Sequence, residues 1–114
     1  MKFESLGLSA NILHTVKQMG FAQVFPIQAQ AIPPILAGKD VMAVAPTGTG
    51  KTASFVMPVL DQLQQVQNER NRSVQILVLV PTRELAVQID EVFRVFSEPL
   101  RRSIRTLAVY GGVS

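Results

Sequence analysis

The sequence predicts an α/β fold, doubly wound, with a parallel sheet and helices on both faces. Three observations carry this. Short apolar runs alternate with amphipathic segments of helix length, the order that yields parallel strands joined by right-handed crossovers. One run, VQILVLV at 74–80, is almost wholly β-branched or Leu, as befits a strand covered on both faces. A Gly/Thr-rich loop, APTGTGKT at 45–52, lies between a short apolar run and a helical pattern.

The elements follow in order. Ser9 stands as an N-cap, Leu8 and Leu13 occupy staple positions, and Ile12, Leu13, Val16 and Met19 line one face of a first helix. Gly20 stops it. A second helix starts near Pro26; Pro33-Pro34 should break or restart it, and Gly38 ends the unit. Val41 to Ala45 reads as a strand, bounded by Asp40 and the Gly-rich loop. A third helix runs from about Lys51 to Val66 on the face of Val56, Val59, Leu60 and Leu63, with Pro58 expected to bend it. Residues 67–73 are a polar loop, and 74–80 the second strand. A fourth helix spans about Arg83 to Ser97, with Leu85, Ile89, Val92, Phe93 and Phe96 on one side. Pro99 ends it, 104–110 is a third strand, and Gly111-Gly112 turns away from it. Residues 1–38 thus form a helical region, and 39–114 the first part of a sheet domain.

Composition bounds what such a fold can do. The chain has 114 residues, within the usual single-domain range of about 100–150. Apolar residues make up 47% and charged residues 17%, which excludes an intrinsically disordered chain. With no Cys there are no disulfides, no thiolate metal ligands and no cysteine nucleophile. The net charge is +3, with 4 basic and 2 acidic groups in residues 1–57 and 7 and 6 in residues 58–114. That is a mild lean toward anionic partners without a basic arm or acidic tail. The N-terminus lacks an apolar core of signal-peptide length, and no apolar run approaches the ~20 residues of a membrane span. A cytoplasmic protein is expected.

Chemistry concentrates at three places. In Ala45-Pro46-Thr47-Gly48-Thr49-Gly50-Lys51-Thr52, glycines let backbone amides converge on phosphate oxygens, and the following helix adds its positive end. Lys51 can reach β- and γ-phosphates as a mobile charge, and the Thr52 hydroxyl can bind magnesium. Position 45 is Ala, where the strict loop pattern has Gly. Upstream, Gly20-Phe21 and Pro26-Ile27-Gln28 place an amide with donor and acceptor side by side. Adenine offers the complementary pair on one edge and guanine two acceptors, so Gln28 can select ATP over GTP. A solvated helix residue is the alternative. Third, Pro81-Thr82-Arg83-Glu84-Leu85-Ala86 follows the second strand, at the rim where such sheets bind ligands. Thr82, Arg83 and the first amides could hold a phosphate backbone, or Thr82 could simply cap the helix with Glu84 beside its positive end. Gly111-Gly112, on the same rim, allows close backbone approach or is a plain turn. Arg94, Arg101, Arg102 and Arg105 read as a solvated face, His14 as surface, and Met42 and Met57 as core filler.

Taken in order, GF…PIQ, APTGTGKT, PTRELA and GG resemble the N-terminal part of a DEAD-box ATP-dependent RNA helicase over residues 3 to 114. FESLGLS and YGGVS look most like the bacterial RhlE-type branch. The resemblance implies an incomplete RecA-like phosphate-loop domain. It implies that Gly20 to Gln28, Phe21 included, form a Q motif in which Gln28 reads adenine, and that Phe3 is the aromatic stacking on the base. Ala45 to Thr52 match motif I, where Ala is normal at the first position. Pro81 to Ala86 match motif Ia, of which Pro81, Thr82, Arg83 and Glu84, with Gly111 and Gly112, would contact the RNA backbone. ATP with Mg, RNA, and the remainder of the helicase core are the implied partners. Val24 and Phe25 depart from the family, which usually has Pro and Thr there, the Thr supporting the loop. The 114 residues contain no DEAD sequence, no SAT motif and no second RecA-like domain. The chain alone is therefore expected to bind without hydrolysing, either as the start of the helicase or as a stand-alone nucleotide- or RNA-binding module.

Overall fold

The structure is a computed structural model that describes residues 2–46, 50–65, 74–100, 104 and 106–109. A 3-10 turn at Phe3–Ser5 precedes four helices: α1 Ala10–Gln18, α2 Pro26–Leu36, α3 Lys51–Gln64 and α4 Arg83–Ser97. Helix α3 is central, packing against α1, α2 and α4. The predicted helical faces meet there. Ile12 and Val16 of α1, Ile32 of α2, Val56, Met57 and Leu60 of α3, and Phe93 and Phe96 of α4 share one buried cluster. Phe3, Leu6 and Leu8 close the cluster from the N-terminal segment.

Two helix expectations need correction. Helix α2 continues through Pro33 and Pro34 to Leu36 instead of breaking. Each proline lacks an N–H and so deletes one ladder bond, but the next turn is still closed by Ala37 N donating to Pro33 O at 3.0 Å. Ser9 does stand at the N-cap of α1, yet its hydroxyl accepts from Gln64 Nε2 at 2.6 Å, not from a helix amide. Its backbone N–H donates to Asp61 Oδ2 at 2.8 Å, so a carboxylate of α3 holds the start of α1.

The larger correction concerns the sheet. Among the described residues the structure is all-helical, and 41–45, 74–80 and the described part of 104–110 form no strand ladder. Yet 74–80 keep the side-chain alternation of a strand: Val78 and Val80 pack on the core, while Leu77 and Leu79 are 76% and 83% exposed. The physical reason is pairing. Alternation is a property of one segment, whereas a parallel ladder needs an adjacent strand to accept and donate its hydrogen bonds. Met42 is likewise no core filler; it is exposed, as are Val44, Leu107 and Val109, whereas Met57 is buried as expected.

These exposed apolar side chains carry a solution prediction. The 114-residue chain expressed alone should self-associate, since monomeric proteins rarely expose apolar surface on this scale. Sedimentation should show mass rising with concentration; a monomer with a sharp unfolding transition at ~100 μM would contradict it.

Candidate functional site

Ala45 and the start of α3 are held by Lys51 and Gln28. Gly50 adopts φ +76°, the left-handed region that favours glycine, and serves as N-cap of α3. It has a second reason to be glycine: a Cβ would run into the Gln28 amide and stand 2.9 Å from Phe25 Cδ2. Lys51 opens α3 with its side chain exposed, and its Nζ donates to Ala45 O at 2.9 Å, spanning the mouth of the loop. An ammonium without a stronger acceptor takes a carbonyl; phosphate oxygens would out-compete it. Thr52 is half-buried at the second position of the helix. Thr47, Gly48 and Thr49 lie outside the described residues.

Gln28 is fully buried at the third position of α2. Its Oε1 accepts from Phe25 N at 3.0 Å, which satisfies one of the orphan amides at the helix start. Its Nε2 donates to Gly50 O at 3.3 Å. The sequence separation of 22 residues is thereby closed, and the Q-motif stretch is tied to motif I. Phe25 sits at the N-cap with no side-chain oxygen to offer, so the reciprocal half of the capping arrangement is absent.

Phe3 and Phe21 form a separate group. Their rings meet edge-on, centroids 6.2 Å apart at 85°, and Phe21 also leans on Phe96. Phe3 is almost fully buried. Both rings line a cavity of about 400 Å³ with Leu13, Val16, Lys17 and Gly20, and the lining does not include Gln28 or Gly50. The structure therefore brings Gln28, Gly50, Lys51 and Ala45 together and keeps Phe3 and Phe21 in another pocket. Phe25 against Gly50 was missed by residue-level reasoning. The only signal available was its departure from the usual Thr.

After the 74–80 segment, the Thr82 hydroxyl accepts from Leu85 N at 3.1 Å and caps α4, with Glu84 in the first turn. The capping role is thus real, and Pro81, Thr82, Arg83 and Glu84 are all exposed. Gly111, Gly112, Arg101, Arg102 and Arg105 lie outside the described residues. Arg94 pairs with Asp90 at 3.0 Å on the same helix face, and its Nε also donates to Thr106 Oγ1 at 3.2 Å. His14 is exposed, as expected. Among the described residues no three acidic, His or Cys side chains cluster as a metal site, and no helix is long and apolar enough to cross a membrane.

Comparison with known proteins gives the family. The DEAD/DEAH box helicase family model matches residues 25–114. The chain is 44% identical over 110 residues to the DEAD-box ATP-dependent RNA helicase CshA of Bacillus cereus, covering 96% of this chain and 20% of that protein. It is 44% identical over 113 residues to RhpA of Helicobacter pylori, covering 98% and 21%, and 46% identical over 110 residues to DeaD of Klebsiella pneumoniae, covering 96% and 16%. The chain thus spans about a fifth of these relatives. Among solved structures it is similar to a DEAD box protein of Methanococcus jannaschii, at TM-score 0.85 and 35% identity, over all of this chain and 30% of that one. It is equally close to the RNA helicase Prp28 of Chaetomium thermophilum bound to ADP, at TM-score 0.85 and 38% identity, over 99% and 27%. These likenesses, over nearly the whole chain, supply the RecA-like frame that the four helices alone leave open. The chain belongs to the DEAD-box helicase family.

Proposed function

We propose that this chain is the nucleotide-binding start of a cytoplasmic ATP-dependent RNA helicase, in which ATP and RNA binding precede hydrolysis and duplex unwinding. The observation that carries the reading is the Gln28–Gly50–Lys51–Ala45 cluster, which ties the Gln28 amide to the start of α3 and Lys51 back to Ala45. In this reading Gln28 selects adenine, the backbone N–H groups that follow Pro46 and the Lys51 ammonium hold the phosphates, and Thr52 contributes one oxygen to magnesium. A single hydroxyl fits that ion, because Mg²⁺ in such sites is held mostly by substrate phosphates and water. Thr82 and Arg83 present hydroxyl, guanidinium and helix-start amides to an RNA phosphate backbone, and Gly111 and Gly112, without side chains, would let that backbone approach closely. Phe3 stacking on the base would require the nucleotide to reach the aromatic cavity.

The 114 residues supply a phosphate cradle without the carboxylate that positions the attacking water. A binding module without catalysis is therefore the second reading. The RhlE-type branch rests on FESLGLS and YGGVS, while the relatives compared are CshA, RhpA and DeaD. Gln28→Ala tests the base assignment. Competition titrations with ATP and GTP should show the preference for ATP shrinking by about tenfold. The same preference before and after the substitution would remove Gln28 from base reading.

A further inference from the structure

Gln28 has capacity to spare. Among the described residues each amide atom uses one partner, leaving one N–H and one oxygen lone pair, the donor and acceptor that adenine needs. Yet its exposure is 0%, so no base can touch it in this arrangement. Near it stands the Phe25 ring: around the point where a Gly50 Cβ would be, Phe25 Cδ2 lies at 2.9 Å, and the Gln28 amide is also within contact distance. Of the two residues that meet at this point, Phe25 is 44% exposed and Gln28 wholly buried. A large apolar side chain at an N-cap is a poor choice for helix stability, where Ser, Thr, Asp or Asn would bond an orphan amide.

Resting on the nucleotide reading above, we propose that Phe25 is a selectivity-determining positioning residue: closed over Gln28 and Gly50, its ring hides the amide that distinguishes adenine from guanine. An adenine nucleotide gains the two Gln28 hydrogen bonds only after the ring turns aside. A guanine nucleotide, which gains nothing from Gln28, binds with the ring in place. The ring therefore lowers the apparent affinity for adenine nucleotides by the fraction of molecules in which it stands open. The effect is selective for the base and leaves the phosphate contacts of Lys51 alone.

The test is a double-mutant cycle on the full-length polypeptide, with ADP and GDP affinities measured by calorimetry. Phe25→Thr removes the cover and should raise the ADP:GDP affinity ratio by about tenfold, within the range of a bidentate amide–base contact. Phe25→Leu keeps an apolar cover and should leave the ratio near wild type. In a Gln28→Ala background, Phe25→Thr should not move the ratio. A merely structural role would shift the unfolding temperature through the new cap and leave the ratio unchanged. An unchanged ratio with ADP still bound overturns the proposal, as does an equal rise in the Gln28→Ala background. If neither wild type nor Phe25→Thr binds ADP, the nucleotide reading fails and this inference with it.

Discussion

Lys51→Ala is expected to weaken ATP-analogue binding by about 100-fold in the full-length polypeptide, while the unfolding temperature stays near wild type. Lys51 is exposed, and its one resolved hydrogen bond, to Ala45 O, is a neutral-acceptor contact that water replaces cheaply. Alanine is at least as good a helix former, so α3 keeps its start. Against phosphates the balance changes. A charge-assisted hydrogen bond contributes roughly 1.5–3 kcal/mol, which is about 10- to 150-fold in affinity. Calorimetry decides it: an unaltered dissociation constant would show that the ammonium never leaves Ala45 for the ligand. Stability and affinity are thereby separated at one residue.

The second large effect is on stability. Asp61→Ala should destabilise the protein by about 2–3 kcal/mol, lowering the unfolding temperature by roughly 10 °C. Asp61 is 1% exposed, and its two oxygens accept from Ser9 N and from Gln64 Nε2, the latter at 2.9 Å. Gln64 Nε2 bonds Ser9 Oγ as well, so three side chains close a network across α1 and α3. Truncation leaves the Ser9 N–H, part-buried at a helix start, without its acceptor, and the positive end of α1 without its carboxylate. Asp61→Asn keeps one acceptor for Ser9 and should cost about half as much. Chemical unfolding of both variants checks the order; wild-type stability for Asp61→Ala would mean that the network is replaced by water without loss.

Neither Asp61 nor Phe25 announced itself in the chain. Asp61 follows Leu60 in α3, and no sequence pattern assigns it a role. Its role depends on Ser9, 52 positions away, and no local pattern encodes that distance. Phe25 registered only as a departure from Thr, and its contact with Gly50 exists because α2 packs along α3. Lys51, Gly50 and Gln28 were legible because loop chemistry is local: glycine frees the backbone, and the helix start concentrates amides.

Helices were legible for the same local reason. The 3.6-residue spacing of Ile89, Val92, Phe93 and Phe96 sets one side of α4 before any tertiary contact forms, and Thr82 caps it from three residues away. Strand alternation in 74–80 was equally local and appears in the burial of Val78 and Val80. Pairing of those strands was not local, because a ladder's other half belongs to another segment. Family and phosphate loop thus came from short-range pattern. The burial of Gln28 beside Gly50, the carboxylate at the start of α1, and the separation of Phe3 from Gln28 and Gly50 came from packing between distant segments, where position is set by what arrives from elsewhere in the chain.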